Sequence, residues 1–247
     1  MNYIPQAKAM IEKGLVPIPL KVDSKMPSIK WKQFQDRFPT EKEVEKHFKD
    51  CGGVAALTLP GKDKDNLISD LFLLDFDLKY QLPHQDFFTD FGNRIPIEIK
   101  RRFLINQTSS GVGRHIWFRV ENYFAKSSKL SFRLKTPEEI LEQRQELVKM
   151  GVNLVKANHQ VMKKPFEVVI ETRGSNPYGV FIHPTHKRVY GKRLHTMNED
   201  EMEIIMAAAY ETCEFFEKKE KVVGNVKHYG IISRYNQDAT PADVMQL

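Results

Sequence analysis

At 247 residues and 41% hydrophobic composition, the chain is long enough to bury a core and too apolar to behave as a disordered polymer. Lys and Arg number 38 against 32 Asp and Glu, and the resulting charge of +6 suits polyanionic partners without requiring one. Cys51 and Cys213 are too few for a disulfide framework or a four-cysteine zinc site, and no stretch approaches the roughly 20 apolar residues of a membrane span or the pattern of a signal peptide, so the expectation is a soluble cytoplasmic protein with no structural zinc and no membrane partner.

Apolar residues at helical spacing (Ile4, Ala7, Met10, Ile11) predict a helix over Tyr3 to Lys13, with Gly14 as its left-handed cap. "LVPIPL" reads as an edge strand, because its two prolines remove donors a central strand would use, and "KVDSKMPSIKW" follows as a basic loop. Thr40 and Glu43 form the capping box of a second helix. "GVAALTL" and "LISDLFLLDFDL" read as strands around a charged turn, "GKDKDN", and "FFTDFGNRIPIEIKRR" reads as an irregular crossing segment. "RFLINQT" and "RHIWFRV" predict a hairpin across "SSGVG".

Residues from about Thr136 to Met162 have helical periodicity broken by Gly151, a helical insertion. "FEVVIETRG" and "YGVFIHP" read as a second hairpin, and Asn198 caps a long amphipathic helix. The expected domain spans residues 1–222. Residues 223–247 form a linker and, at "TPADVMQL", the start of a further helix in a following region. Strands mixed with helices and hairpins predict an α+β fold with a mixed or antiparallel sheet.

Three places carry chemistry. In "LLDFD", Asp75 and Asp77 at a strand end point to one side, roughly 6 to 7 Å apart along the backbone, while Phe76 faces the other. Two carboxylates so close repel, and a divalent cation removes that cost by coordinating both. In "TSSGVGRHIWF", Gly111 and Gly113 permit a turn whose N–H groups gather on an anion, with Ser109, Ser110, Arg114 and His115 as further donors. In "FEVVIETRG", Glu171 and Arg173 share a face, a metal ligand beside a phosphate-binding cation, and Glu167 ranks lower at the strand's start. Each has an ordinary alternative: solvated acids, a plain hairpin loop, a surface ion pair.

In this order, the three segments resemble the motifs of the archaeo-eukaryotic primase superfamily, in particular its primase-polymerase domains. "LLDFD" is similar to the acidic pair, "SSGVGRH" to the small-x-His turn, and "VVIETRGSNPYGVFIHP" to the hydrophobic-acid pair with its arginine-glycine and proline-containing continuation. "GLVPIPLKVDSKMPSIKW", with Lys25, Pro27 and Trp31, resembles the family's opening, so the likeness spans about residues 3–190. Glu171 stands where the family more often has Asp, and His183-Pro184 where it usually has two prolines.

The resemblance implies an RNA-recognition-motif-like catalytic sheet packed beside a smaller α/β module, with the active site in the cleft between them. It implies a DNA primase, a DNA-directed polymerase or both, replicating a plasmid, phage or mobile element. Asp75, Asp77 and Glu171 would hold two Mg²⁺ or Mn²⁺ ions. His115 would meet the incoming nucleoside triphosphate with Ser110, Gly111, Gly113 and Arg114, while Arg173 and Lys25 are further additions to the nucleotide site. Single-stranded DNA would be template or primer, its phosphates tracked by residues such as Lys30, Lys32, Arg101 and Arg102. Related proteins often continue into a helical region and a helicase. Two other readings stay open: a metal-dependent nuclease, and an inactive replication-initiator or single-strand-binding module.

Overall fold

The structure is a computed structural model that describes residues 1–58, 69–121, 127–173 and 178–212. All of them lie in one unit, Met1–Phe215. The charged turn at 61–66 and the region after 222 lie outside the described residues, as do residues 174–177.

Helix α1 (Ile4–Glu12) ends where Gly14 adopts φ of +69°, the left-handed conformation expected of a terminal glycine. Strand β1 (Pro17–Leu20) follows, then α2 (Glu41–Phe48), whose Thr40 and Glu43 form the reciprocal capping box. Strands β2 (Gly53–Leu57) and β3 (Leu71–Phe76) come next. The segment expected to be irregular instead forms two short helices, α3 (Phe87–Asn93) and α4 (Ile97–Lys100). Asp86 caps the first through the Thr89 N–H, and Pro96 stands immediately before the second.

Strands β4 (Leu104–Gln107) and β5 (Arg114–Val120) form the expected antiparallel hairpin. Then come β6 (Lys129–Leu134) and the helical segment, resolved into α5 (Pro137–Lys149) and α6 (Leu154–Met162), with Gly151 at φ +88° between them. Strands β7 (Phe166–Thr172), β8 (Tyr178–Ile182), β9 (Lys187–Tyr190) and β10 (Thr196–Met197) precede α7 (Glu199–Glu211), capped by Asn198.

The fold is α+β, built on two largely antiparallel sheets. One is three-stranded, in the order β1-β2-β8, with the proline-bearing β1 at its edge. The other is seven-stranded, β6-β7-β3-β5-β4-β9, with β10 running parallel beside β5. The expected hairpin of β7 with β8 does not form. Both edges of β7 are taken, by β6 and β3, so β8 pairs with β2 in the other sheet.

Alternation along β3 and β5 divides the core. Phe72, Leu74, Phe76, Ile116 and Phe118 pack under α3, α4 and α7. Leu71, Leu73 and Trp117 face the other way, against Ala56 and Phe181 of the small sheet and Ala7 and Phe48 of the first two helices. Gly179 lets the sheets approach: a Cβ there would lie 2.3 Å from Leu73 Cδ2 and 2.6 Å from Trp117 Cη2. Gly179→Ala is therefore expected to cost about 1–3 kcal/mol by overpacking, read as a lowered midpoint in urea unfolding.

Candidate functional site

Strand register assembles the site. Asp75 on β3 lies opposite His115 on β5 and, on its other side, opposite Glu171 on β7. His115 pairs in turn with Asn106 on β4, which pairs with Arg188 on β9, and Glu171 pairs with Lys129 on β6. Directly opposed residues share a face, so six strands contribute one polar row across the sheet. It begins where the apolar packing of Leu73 and Trp117 against the small sheet stops. Phe76, the next residue on β3, faces the opposite core, edge-on to Phe88 and Phe91.

Asp75 is only 8% exposed, and both its oxygens are engaged. Oδ1 lies 3.4 Å from His115 Nε2, and Oδ2 accepts from Arg173 Nε at 3.0 Å and from the same guanidinium's Nη2. That Nη2 also lies 2.8 Å from Glu171 Oε1, so one guanidinium bridges the two carboxylates. Burial pushes the Asp75 carboxyl up, but the hydrogen bond and charge of His115 and the charge of Arg173 outweigh it and hold the group at about 2. At Glu171 burial prevails and the pKa is raised. Two neighbouring acids are thus driven in opposite directions, a pattern that functional sites share with structural ion networks.

His115 Nδ1 lies 3.3 Å from the Val180 carbonyl on β8, which ties the row to the small sheet. Asp77 lies just past β3, where its N–H donates to Val169 O and its carboxylate pairs with Lys79 at 2.9 Å. Its charge is felt at both Glu171 and Arg173, which puts it near the row.

The glycine turn is largely self-satisfied. Gly111 N–H donates to Thr108 O, and Gly113 N–H to Ser110 Oγ, which also bonds Thr108 Oγ1. A Cβ on Gly113 would meet Thr108 Oγ1 at 2.5 Å and Phe76 O at 3.0 Å, so this glycine permits the turn's close approach to β3. These two N–H groups therefore do not form the open anion nest expected from sequence. Arg114 folds back onto the Val112 and Gly113 carbonyls, with its guanidinium over Phe88, on the face opposite His115. Of the candidate template residues, Arg102 is held by Glu201 and the Thr196 carbonyl; Glu167, the lower-ranked acid of β7, pairs with Lys135 at 3.2 Å.

Sequence reasoning missed the far end of the row. The His186 ring is tilted against His115, with centroids 5.5 Å apart, and meets His183 edge-on at 5.6 Å, and burial together with the nearby charge of Lys25 lowers the pKa of both His183 and His186. Asn106, His183, His186 and Arg188 line a cavity of about 220 Å³, in which Asn106 Oδ1 and His186 Nε2 are buried without a hydrogen-bond partner in the structure. In the sequence this end shows only as Lys25 and as His-Pro-Thr-His, whose first two residues close the last motif-like segment. Burial, and then the charges of His115 and Lys25, push His186 down to about 3. The unfolded chain thus takes this proton first as pH falls, so stability from His186 is full above about pH 6.5 and fades toward pH 3. Thermal melting over that range should show a shallower loss in His186→Gln.

The chain matches no protein-family model and no curated protein. The site's chemistry therefore rests on its own residues. With Arg173 and Lys79 paired to the acids, no three His, Cys, Asp or Glu side chains among the described residues are gathered as a metal cage. The donor set nevertheless fits a hard divalent cation: Asp75 and Glu171 offer only carboxylate oxygen, and they already hold a positive group between them. That group, Arg173, is 38% exposed and sits on a side chain long enough to withdraw.

Proposed function

We propose that this chain is a template-directed nucleotidyltransferase of the primase-polymerase kind, making primers, extending them or both in the replication of a plasmid, phage or mobile element. One observation carries the reading. The three segments that resemble the family's motifs are far apart in sequence, yet Asp75, His115 and Glu171 stand side by side on three adjacent strands. The large sheet is then the catalytic, RNA-recognition-motif-like layer, the β1-β2-β8 sheet with α1 and α2 the smaller module, and the row the floor of the cleft between them.

On this reading Asp75 and Glu171, with Asp77 at the rim, hold Mg²⁺ or Mn²⁺. When bound there, the ions lower the pKa of a primer 3′-hydroxyl and offset charge developing on the α-phosphate and the departing pyrophosphate. His115, fixed by the Val180 carbonyl and with Nε2 beside Asp75, would turn that nitrogen to the incoming phosphates once the ions engage the carboxylate. Arg173 leaves the acids and turns its guanidinium to the triphosphate, for which its fork is well matched. His186, Arg188 and Lys25 add donors and positive charge at the far end of the row.

The test is incubation with homopolymer single-stranded templates and Mn²⁺, with labelled deoxynucleotides and ribonucleotides in separate arms. Products that grow only on the complementary template support the proposal. Template cleavage without synthesis would favour a nuclease, and DNA binding with neither activity a non-catalytic module.

A further inference from the structure

A second cavity, of about 460 Å³, adjoins the one at the far end of the polar row and shares Phe181, Ile182 and Arg188 with it. Its volume lies within the roughly 300–1,000 Å³ typical of small-molecule sites. Met10, Leu104, Phe181 and Leu194 give it an apolar floor between α1, β4 and β8. Lys13, Arg188, Lys192 and Arg193 lie among its lining, and no acidic residue does among the described residues. Arg119 also lines it, but is neutralised by Asp70 and donates to the Lys13 carbonyl. Arg193 donates to His195 Nε2 at 3.3 Å and meets no carboxylate among the described residues. Lys13, Arg188 and Lys192 form no ion pair among the described residues.

Four cations that share one opening and, among the described residues, lack a local counter-charge repel one another, and an anion in the opening removes that repulsion. The floor asks for something different: a flat, weakly polar body that can lie on Met10 and Phe181. A nucleotide unit supplies both parts, phosphate for the rim and base for the floor.

We propose that this cavity binds one nucleotide unit without a divalent metal, its base on the apolar floor and its phosphate on Lys13, Lys192 and Arg193. The unit is either a free nucleotide or the terminal residue of a strand, since the two share this chemistry. The site needs no carboxylate of the polar row, so it stands apart from metal-dependent synthesis.

That independence defines the test. In EDTA, fluorescence anisotropy of the full chain is measured with N-methylanthraniloyl-ATP in one arm. A labelled, 5′-phosphorylated oligothymidine of about ten residues serves in the other. At least one probe should bind, and the arm that binds more tightly identifies the source. A Lys192→Glu, Arg193→Glu double variant should weaken binding at least about tenfold. Ala9→Trp, which narrows the cavity without altering charge, should weaken it comparably. Because binding is read in EDTA without any synthesis, it survives even where the synthesis reading fails. The proposal is overturned if neither probe binds in EDTA, if charge reversal has no effect, or if charge reversal weakens binding while a folded Ala9→Trp variant binds normally, since general surface electrostatics would then suffice. Circular dichroism establishes that both variants fold.

Discussion

Replacing Asp75 with asparagine should reduce incorporation of labelled nucleotide on single-stranded DNA by at least about a thousandfold, the several kcal/mol that metal-assisted charge stabilisation supplies. The change keeps the shape of the side chain and removes the charge that His115 and Arg173 both engage. Asp75 sits at the centre of the row, so no other carboxylate can take its place between Glu171 and His115. A matching circular dichroism spectrum separates lost chemistry from lost fold. Near-normal synthesis by Asp75→Asn would mean that the row is structural. Asp77→Ala should also abolish incorporation, with less effect on folding, because Asp77 is more exposed and its partner Lys79 lies on the surface.

The largest expected effect on stability lies away from the row. Arg133 on β6 is fully buried, and its guanidinium donates to both Glu139 oxygens at 2.8 and 2.7 Å and to the Leu134 carbonyl. Glu139 also closes the α5 capping box by accepting from the Thr136 N–H at 2.8 Å. Glu139→Ala leaves an uncompensated guanidinium in the core and opens the cap, at a cost of about 3–5 kcal/mol. For a unit of this size, that is a fall of roughly 10 °C in thermal midpoint. The double variant Arg133→Met, Glu139→Met should cost less than Glu139→Ala alone, because it removes both charges together. If Glu139→Ala melts within about 2 °C of the parent, the pair is not what anchors α5 to the sheet.

The local signals in the sequence served some elements well. Gly14, the Thr40 box and the Asn198 cap mark helix starts and stops by chemistry that acts within four residues, and each is found where that chemistry puts it. The prolines of β1 place it at an edge for an equally local reason. Strand partnership is different, because it depends on which edges remain open. Sequence adjacency favours a hairpin of β7 with β8, and the capture of β7 by β3 and β6 prevents it. The alternation of Leu130, Phe132 and Leu134 marks β6 as a half-buried strand, but it does not foretell that Ser131 and Arg133 on its other face are buried too, one donating to the Ala209 carbonyl and the other to Glu139.

The candidate site divides in the same way. Asp75, His115, Glu171 and Arg173 are legible as residue types at strand ends, and register brings them together. Arg114 is one residue from His115, and the period of two therefore sends it to the other face. The glycine turn satisfies its own donors, which spacing alone does not foretell. His186 and Asn106 reach the row through β4 and the loop after β8, contacts that no short motif encodes.

Whether Asp75 holds a divalent metal can be read by electron paramagnetic resonance of Mn²⁺ titrated into the protein, because free and bound manganese give separable signals without any turnover. Binding should saturate in the wild-type chain, be lost in Asp75→Asn and tighten in Arg173→Gln, where the guanidinium no longer competes for the carboxylates. Manganese that stays free in the wild type, or binds equally well to Asp75→Asn, would contradict a metal role for Asp75.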